Sequence, residues 1–424
     1  MQRQQTTHLA QNKPHIPSVI AASSGNLVEW FDFYIYGFAA VYFAHNFSNA
    51  TSPLLAQIEV FGVFAAGFLM LPIGSIIFGK IADRDSRKKA MIISILCMAF
   101  GSFFISFLPS KSSIGDSAIM LLLLARLLQG IAVGGEFGIV AAYLSEVSPS
   151  GKRSFYSSFQ YATIIGGQLF AVASISFLFL LLDEAQMRDF GWRVLFFAGG
   201  VLGLLSLAFR RFMRDDCAQV LQLCDERGSF KALAKSYKSL LLVIGITAGC
   251  TIGFYTITTY PKIYMINNGI SSSVANNIML IALFVLCVAI PLVGALSDKI
   301  GFKTSLRVYL GFCIIGIYPL FLLMGKIQSV FILCCIASFM CFMLSFYTAV
   351  AAISKTTLFP AHIRALGTGL GAMISVGVFG GSVNYVALQF KAHNMETGFF
   401  VYFGVFALIS LICVGLIPKK RELD

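Results

Sequence analysis

The sequence predicts an all-α membrane protein with twelve transmembrane helices in two six-helix bundles. Three observations predict it. The 424 residues are 58% hydrophobic and only 12% charged, with a mean hydropathy of +0.83, whereas soluble domains carry about 25% charged residues. Twelve apolar runs of spanning length follow one another along the chain, each able to cross a bilayer as a helix. A charged loop motif also recurs: GKIADRDSRKK opens at Gly79 and GALSDKIGFK at Gly294, an offset of 215 that maps Asp83 onto Asp298, Arg84 onto Lys299 and Lys88 onto Lys303.

Residues 1–18 are polar and read as a cytoplasmic tail, because no small-residue cleavage site follows a short apolar core as in a signal peptide. The first run, 18–43, contains GNLVEWFDFYIYG, in which Glu29 and Asp32 stand three apart and so share a helical face. Runs 57–79 and 89–108 flank the first loop motif. The fourth run, 118–144, carries Arg126 and Glu136, and runs 155–182 and 190–209 complete an N-terminal bundle of residues 19–209. The longest break, 210–236, reads as a cytoplasmic linker. Runs 237–261, 273–297, 305–325, 329–354, 364–389 and 399–417 build the C-terminal bundle, 237–417, ahead of a short cytoplasmic tail, 418–424. Glycines in the fourth, fifth and eleventh runs permit close helix approach; no strand precedes them, so they are not a dinucleotide loop.

The net charge of +12 does not point to nucleic acid, because the basic residues sit in short clusters between apolar runs. With both termini inside, 24 of the 31 Lys and Arg fall in inner segments and five in outer ones, while Arg126 and Arg193 lie within runs. That asymmetry places both termini in the cytoplasm. Only two of the ten cysteines, Cys217 and Cys224, lie clearly outside apolar runs, in the basic linker, so a disulfide framework is not expected. No His/Cys cluster suggests a metal. The five histidines occupy tails, loops or run ends, with no HExxH or GxSxG, so no catalytic residue and no cofactor are expected. A receptor would need a signalling domain, and no polar stretch is long enough for one.

The loop copies resemble the signature of the major facilitator superfamily, Gly-x-x-x-Asp-Arg-x-Gly-Arg-Lys, with Ser86 in place of its Gly and Phe302 in place of its Arg. GNLVEWFDFYIYG, RLLQGIAVGGEFG, YLSEVSPSGKRSFYSSFQ and FGWRVLFFAGG resemble signatures of its metabolite:proton symporter family. The likeness is denser in the first half: Leu195 stands at a family Pro, and Thr357 begins TLFP where the family has Glu-Leu-Phe-Pro. The resemblance implies the major facilitator fold and a proton-coupled importer in the bacterial inner membrane, working by alternating access as a monomer. Its partners would be a small polar metabolite, the proton and the lipid bilayer, and its driving force the proton gradient.

A carboxylate inside a membrane needs a partner or a proton. Related symporters pair an acid on the first span with an arginine on the fourth, which implies a proton-coupling pair of Asp32 and Arg126 here. A permanent ion pair that only fixes packing is the competing reading. Glu29 stands as a second proton site, a substrate contact or a hydrogen-bonding partner of a neighbouring helix. Glu136 either snorkels inward or bridges helices, and is also kept as a candidate substrate contact. Aromatic residues crowd the first and seventh spans, and Tyr34, Phe31 and Tyr255 are the candidate contacts there, with Gln160 on the fifth span. Gly79, Asp83, Arg84, Arg87, Glu146, Arg153, Gly294, Asp298, Lys299 and Arg364 are expected to form a cytoplasmic gate. The family takes both betaine- or proline-like zwitterions and di- or tricarboxylates. Few cations lie within the runs, and aromatic cages suit quaternary ammonium groups, so the reading leans to a zwitterion. A carboxylate, a citrate-like chelator and an exporter exchanging substrate for protons stay open.

Overall fold

A computed structural model describes residues 16–48, 53–210, 226–380, 382–393 and 395–418. Most of the N-terminal tail, linker residues 211–225 with Cys217 and Cys224, and residues 419–424 lie outside the described residues. Helix dominates, and no strand occurs among the described residues. That follows from the solvent: in hydrocarbon each backbone polar group must be satisfied within its own segment, and a helix does so.

Among the described residues ten helices are each long and apolar enough to cross a membrane, and the ninth span in chain order is a bent pair, Phe302–Ile315 and Ile317–Lys326, meeting at 48°. Pro319 explains the bend, because its ring collides with the carbonyl four residues back and removes one helical hydrogen bond. The first span, Ile16–Phe47, has 32 residues, about 48 Å at 1.5 Å per residue. It is not among those ten because Glu29, Asp32, Asn26 and several Ser and Gly lower its hydropathy. The second span breaks at Met70 and resumes as Leu71–Arg84 with a Pro in its first turn. The tenth, Val330–Thr348, breaks at Ala349–Val350 and resumes as Ala351–Thr356.

The first span is enclosed by the second, fourth, fifth and sixth, which keeps its acids off the lipid. The third packs on the fourth and sixth, the seventh on the twelfth, and the eighth on the tenth. Across the sequence midpoint, the fifth lies along the eighth, and the second and fourth lie along the eleventh. The outer faces carry exposed Phe100, Phe107, Leu124, Phe284 and Leu292, as expected where lipid replaces water.

Candidate functional site

Asp32 is buried where the first, third and fourth spans meet. Ser102 Oγ donates to its Oδ2, and Gln129 Nε2 donates to the same oxygen at 2.8 Å. Gln129 Nε2 also lies 2.9 Å from Ser102 Oγ. Asp32 and Arg126 do not form the direct pair expected from the sequence. Arg126 Nη1 donates to Gln129 Oε1 at 3.0 Å, so the amide of Gln129 stands between guanidinium and carboxylate. The guanidinium lies over the rings of Phe33, Tyr36 and Phe64, at 4.2, 4.6 and 4.7 Å from their centroids. Those aromatic faces supply the electron density that a buried cation needs.

One turn back on the first span is a second buried cluster. Arg210, assigned to the linker by its sequence, lies inside the protein at 0% exposure and forms an ion pair with Glu136, also at 0%. Glu136 accepts a further bond from Ser94 Oγ at 2.6 Å. Glu136 thus bridges helices rather than lining the cavity. Glu29 faces the same cluster at 1% exposure, and neither of its carboxylate oxygens has a hydrogen-bond partner.

A central cavity is lined by Trp30, Tyr34, Phe137, Tyr161, Thr251, Phe254, Tyr255, Tyr347 and neighbouring apolar side chains. Tyr34 and Tyr255, candidate contacts from the sequence, both line it. Phe31 does not line it; its ring packs on Phe170 instead. Gln160 is buried in the helix interface, its Nε2 donating to Phe137 O at 2.8 Å while its backbone carbonyl accepts from Asn26 Nδ2 at 2.9 Å. Lys355, counted with an inner loop, is fully buried, because all six residues of Ala351–Thr356 turn into the interior. Its Nζ lies 3.4 Å from Tyr347 Oη and 5.2 Å from the centre of the Phe137 ring, beside the cavity wall.

The two loop motifs make equivalent ties. Asp83 accepts from Ala365 N at 3.1 Å and Leu366 N at 2.8 Å, in the first turn of Arg364–Ser375. Asp298 accepts from Ser154 N at 2.7 Å and Phe155 N at 3.1 Å, in the first turn of Arg153–Leu178. Helix N-termini offer unsatisfied N–H groups and a positive dipole end, so each carboxylate is well placed. Gly79 and Gly294 let these crossings close: a Cβ at Gly79 would lie 2.8 Å from Leu366 Cα, and one at Gly294 would lie 3.1 Å from Phe155 Cα. Arg87 pairs with Asp83 and, at 3.1 Å, with Glu146, which also meets Arg364 at 3.0 Å. Two expected members stand apart. Arg84 is exposed and bonds Arg227 O, and Lys299 is exposed.

A sequence profile of the Major Facilitator Superfamily matches residues 22–385. Alpha-ketoglutarate permease of Escherichia coli (strain K12) is 42% identical over 414 residues, covering 97% of this chain and 96% of its own. The proline/betaine transporter of the same organism is 29% identical over 418 residues, covering 95% and 83%. The crystallised proton:xylose symporter XylE, bound to 6-bromo-6-deoxy-D-glucose, superposes with a TM-score of 0.78 at 15% identity, covering 97% of each chain. With twelve long helices, an enclosed polar first span and a profile match over most of its length, the chain belongs to the Major Facilitator Superfamily of multi-pass membrane transporters.

Proposed function

We propose that this protein is a proton-coupled importer of a small dicarboxylate of the 2-oxoglutarate type, acting in the bacterial inner membrane with both termini cytoplasmic. The observation that carries the substrate class is Lys355: a buried amino group just behind the cavity-lining Tyr347 and Phe137, with no carboxylate paired to it among the described residues. A carboxylate substrate supplies the missing partner, and Tyr161 and Tyr347 add hydroxyl donors on the same wall. The 42% likeness to an alpha-ketoglutarate permease supports this class. A zwitterion is the second reading, favoured by the aromatic walls from Trp30, Tyr34 and Tyr255.

Coupling works through Asp32. Its Oδ1 has no hydrogen-bond partner, and an ionised carboxylate with an open valence costs several kcal/mol in a dry interior. Protonation removes that cost and lets the loaded carrier change faces; once the proton has left, the emptied carrier returns with Asp32 ionised and held by Ser102 and Gln129. The Gln129 bridge connects the carboxylate to Arg126, so a shift of the fourth span moves donor and cation together. Asp83 and Asp298 act as the inner latch, because opening toward the cytoplasm separates both from the helix starts they cap. Residues 19–209 and 237–417 are the two bodies that rock about the cavity, as in two-half transporters.

Uptake into proteoliposomes tests the reading. Labelled 2-oxoglutarate is expected to accumulate under an inward pH gradient and to stop when the gradient is collapsed. Uptake of labelled betaine or proline, uncompeted by 2-oxoglutarate or citrate, would overturn the carboxylate class.

A further inference from the structure

The cluster of Glu29, Glu136 and Arg210 is not needed by the mechanism above, yet it places two acids and one cation where water does not reach. All three are at 1% exposure or less. Arg210 and Ser94 both bond Glu136, so that acid is balanced. Glu29 is left over: both its oxygens are unbonded in a closed interior. The charged groups that face it are Glu136 on the fourth span, Arg210 on the sixth and Asp32 on its own helix, and the Cys97 thiol of the third span lies near. That is two further acids against one arginine already bonded to Glu136, so among the described residues ionised Glu29 has no hydrogen bond and no counter-charge of its own.

We propose that Glu29 is a second proton-carrying site, with Arg210 as the group that exchanges between Glu136 and Glu29 during the cycle. In the structure described here Glu29 holds a proton. When the inner side opens and water enters, the Glu29 O–H breaks, the proton leaves to cytoplasmic water, and Arg210 is shared by two carboxylates. Closure strips the water and returns Arg210 to Glu136, and Glu29 takes its next proton from the outer side by way of Asp32, one helical turn away. The proposal rests on the proton-coupled dicarboxylate reading and deepens it. A dianion carried with one proton enters as a net negative charge against an inside-negative potential, whereas two protons make the step neutral.

The zero-flux ratio in proteoliposomes tests it. With the potential clamped and a known pH gradient imposed, the 2-oxoglutarate gradient at which net flux vanishes gives protons per substrate. The expected ratio is two in the natural protein and one in Glu29→Gln, which keeps the shape of the neutral acid. An unchanged ratio in Glu29→Gln, or a ratio of one in the natural protein, overturns the proposal. Infrared spectra of the natural protein grown with carbon-13 glutamate need no variant. A protonated glutamic acid carbonyl band at neutral pH, moved by the label, is expected, and its absence overturns the proposal even if Glu29→Gln does not fold. Lack of 2-oxoglutarate uptake would instead sink the substrate reading, while absence of the infrared band, or its persistence in Glu29→Gln, would still overturn a proton on Glu29.

Discussion

Asp83 and Asp298 occupy the same place in two copies of one motif, and each caps a helix from the other half of the sequence: Asp83 holds Leu366 N at 2.8 Å and Asp298 holds Ser154 N at 2.7 Å. The relation is reciprocal, so one end of the helix bundle is fastened twice by the same chemistry. Hydrogen bonds to charged groups contribute about 1.5–3 kcal/mol each. Asp83→Asn and Asp298→Asn are each expected to shift the ensemble toward the inward-open form, by about 10-fold if some 1.4 kcal/mol is lost. Spin-label distances across the inner ends of the second and eleventh spans, and of the eighth and fifth, will lengthen. Unchanged distributions would mean that these acids latch nothing and that the basic residues beside them are topology signals only.

Asp32→Asn is expected to abolish accumulation driven by a pH gradient while preserving exchange of labelled for unlabelled substrate, since exchange needs no net proton movement. Gln129→Leu removes one donor to Asp32 and the link to Arg126, and is expected to impair accumulation more than exchange. Wild-type accumulation in Asp32→Asn would exclude this carboxylate as a coupling site.

What could be read from the sequence follows a physical division. Asp83, Asp298, Gly79 and Gly294 were legible because a loop motif fixes both chemistry and spacing. Tyr34 and Tyr255 were legible because aromatic residues cluster on the spans that wall the cavity. Arg210 was not, because it begins a basic stretch and only packing shows that it turns inward to Glu136. Lys355 could be placed near a span end, but not in the interior, because the break at Ala349–Val350 redirects the last turn of the tenth span. Gln129 carried a signal, three residues after Arg126 on one helical face, but a glutamine is silent unless the carboxylate it bridges is also located.

Substrate class divides Lys355 from the tyrosines. For a dicarboxylate, Lys355→Gln is expected to weaken apparent affinity about 10-fold or more, since bonds to charged groups contribute about 1.5–3 kcal/mol. Tyr34→Leu and Tyr255→Leu would then be mild. A caged ammonium predicts the reverse, with the critical Tyr→Leu change costing about 2- to 30-fold through the loss of roughly 0.5–2 kcal/mol of cation–π attraction. Uptake kinetics of the three variants against 2-oxoglutarate and betaine separate the two.

Arg210 gives the last prediction, on stability. It is fully buried and paired with Glu136, and Gly25 makes room for it, since a Cβ there would lie 2.7 Å from its Cζ. Removing one member of a buried ion pair strands the other, at a cost of about 3–5 kcal/mol. Arg210→Gln is therefore expected to lower thermal stability strongly, because Glu136 keeps only Ser94. Adding Glu136→Gln to Arg210→Gln removes the stranded charge and restores much of that loss. Melting of the two single variants and the double variant in detergent measures the coupling. If Arg210→Gln alone melts like the natural protein, the pair contributes nothing to the fold, and Glu136 is satisfied by some other means.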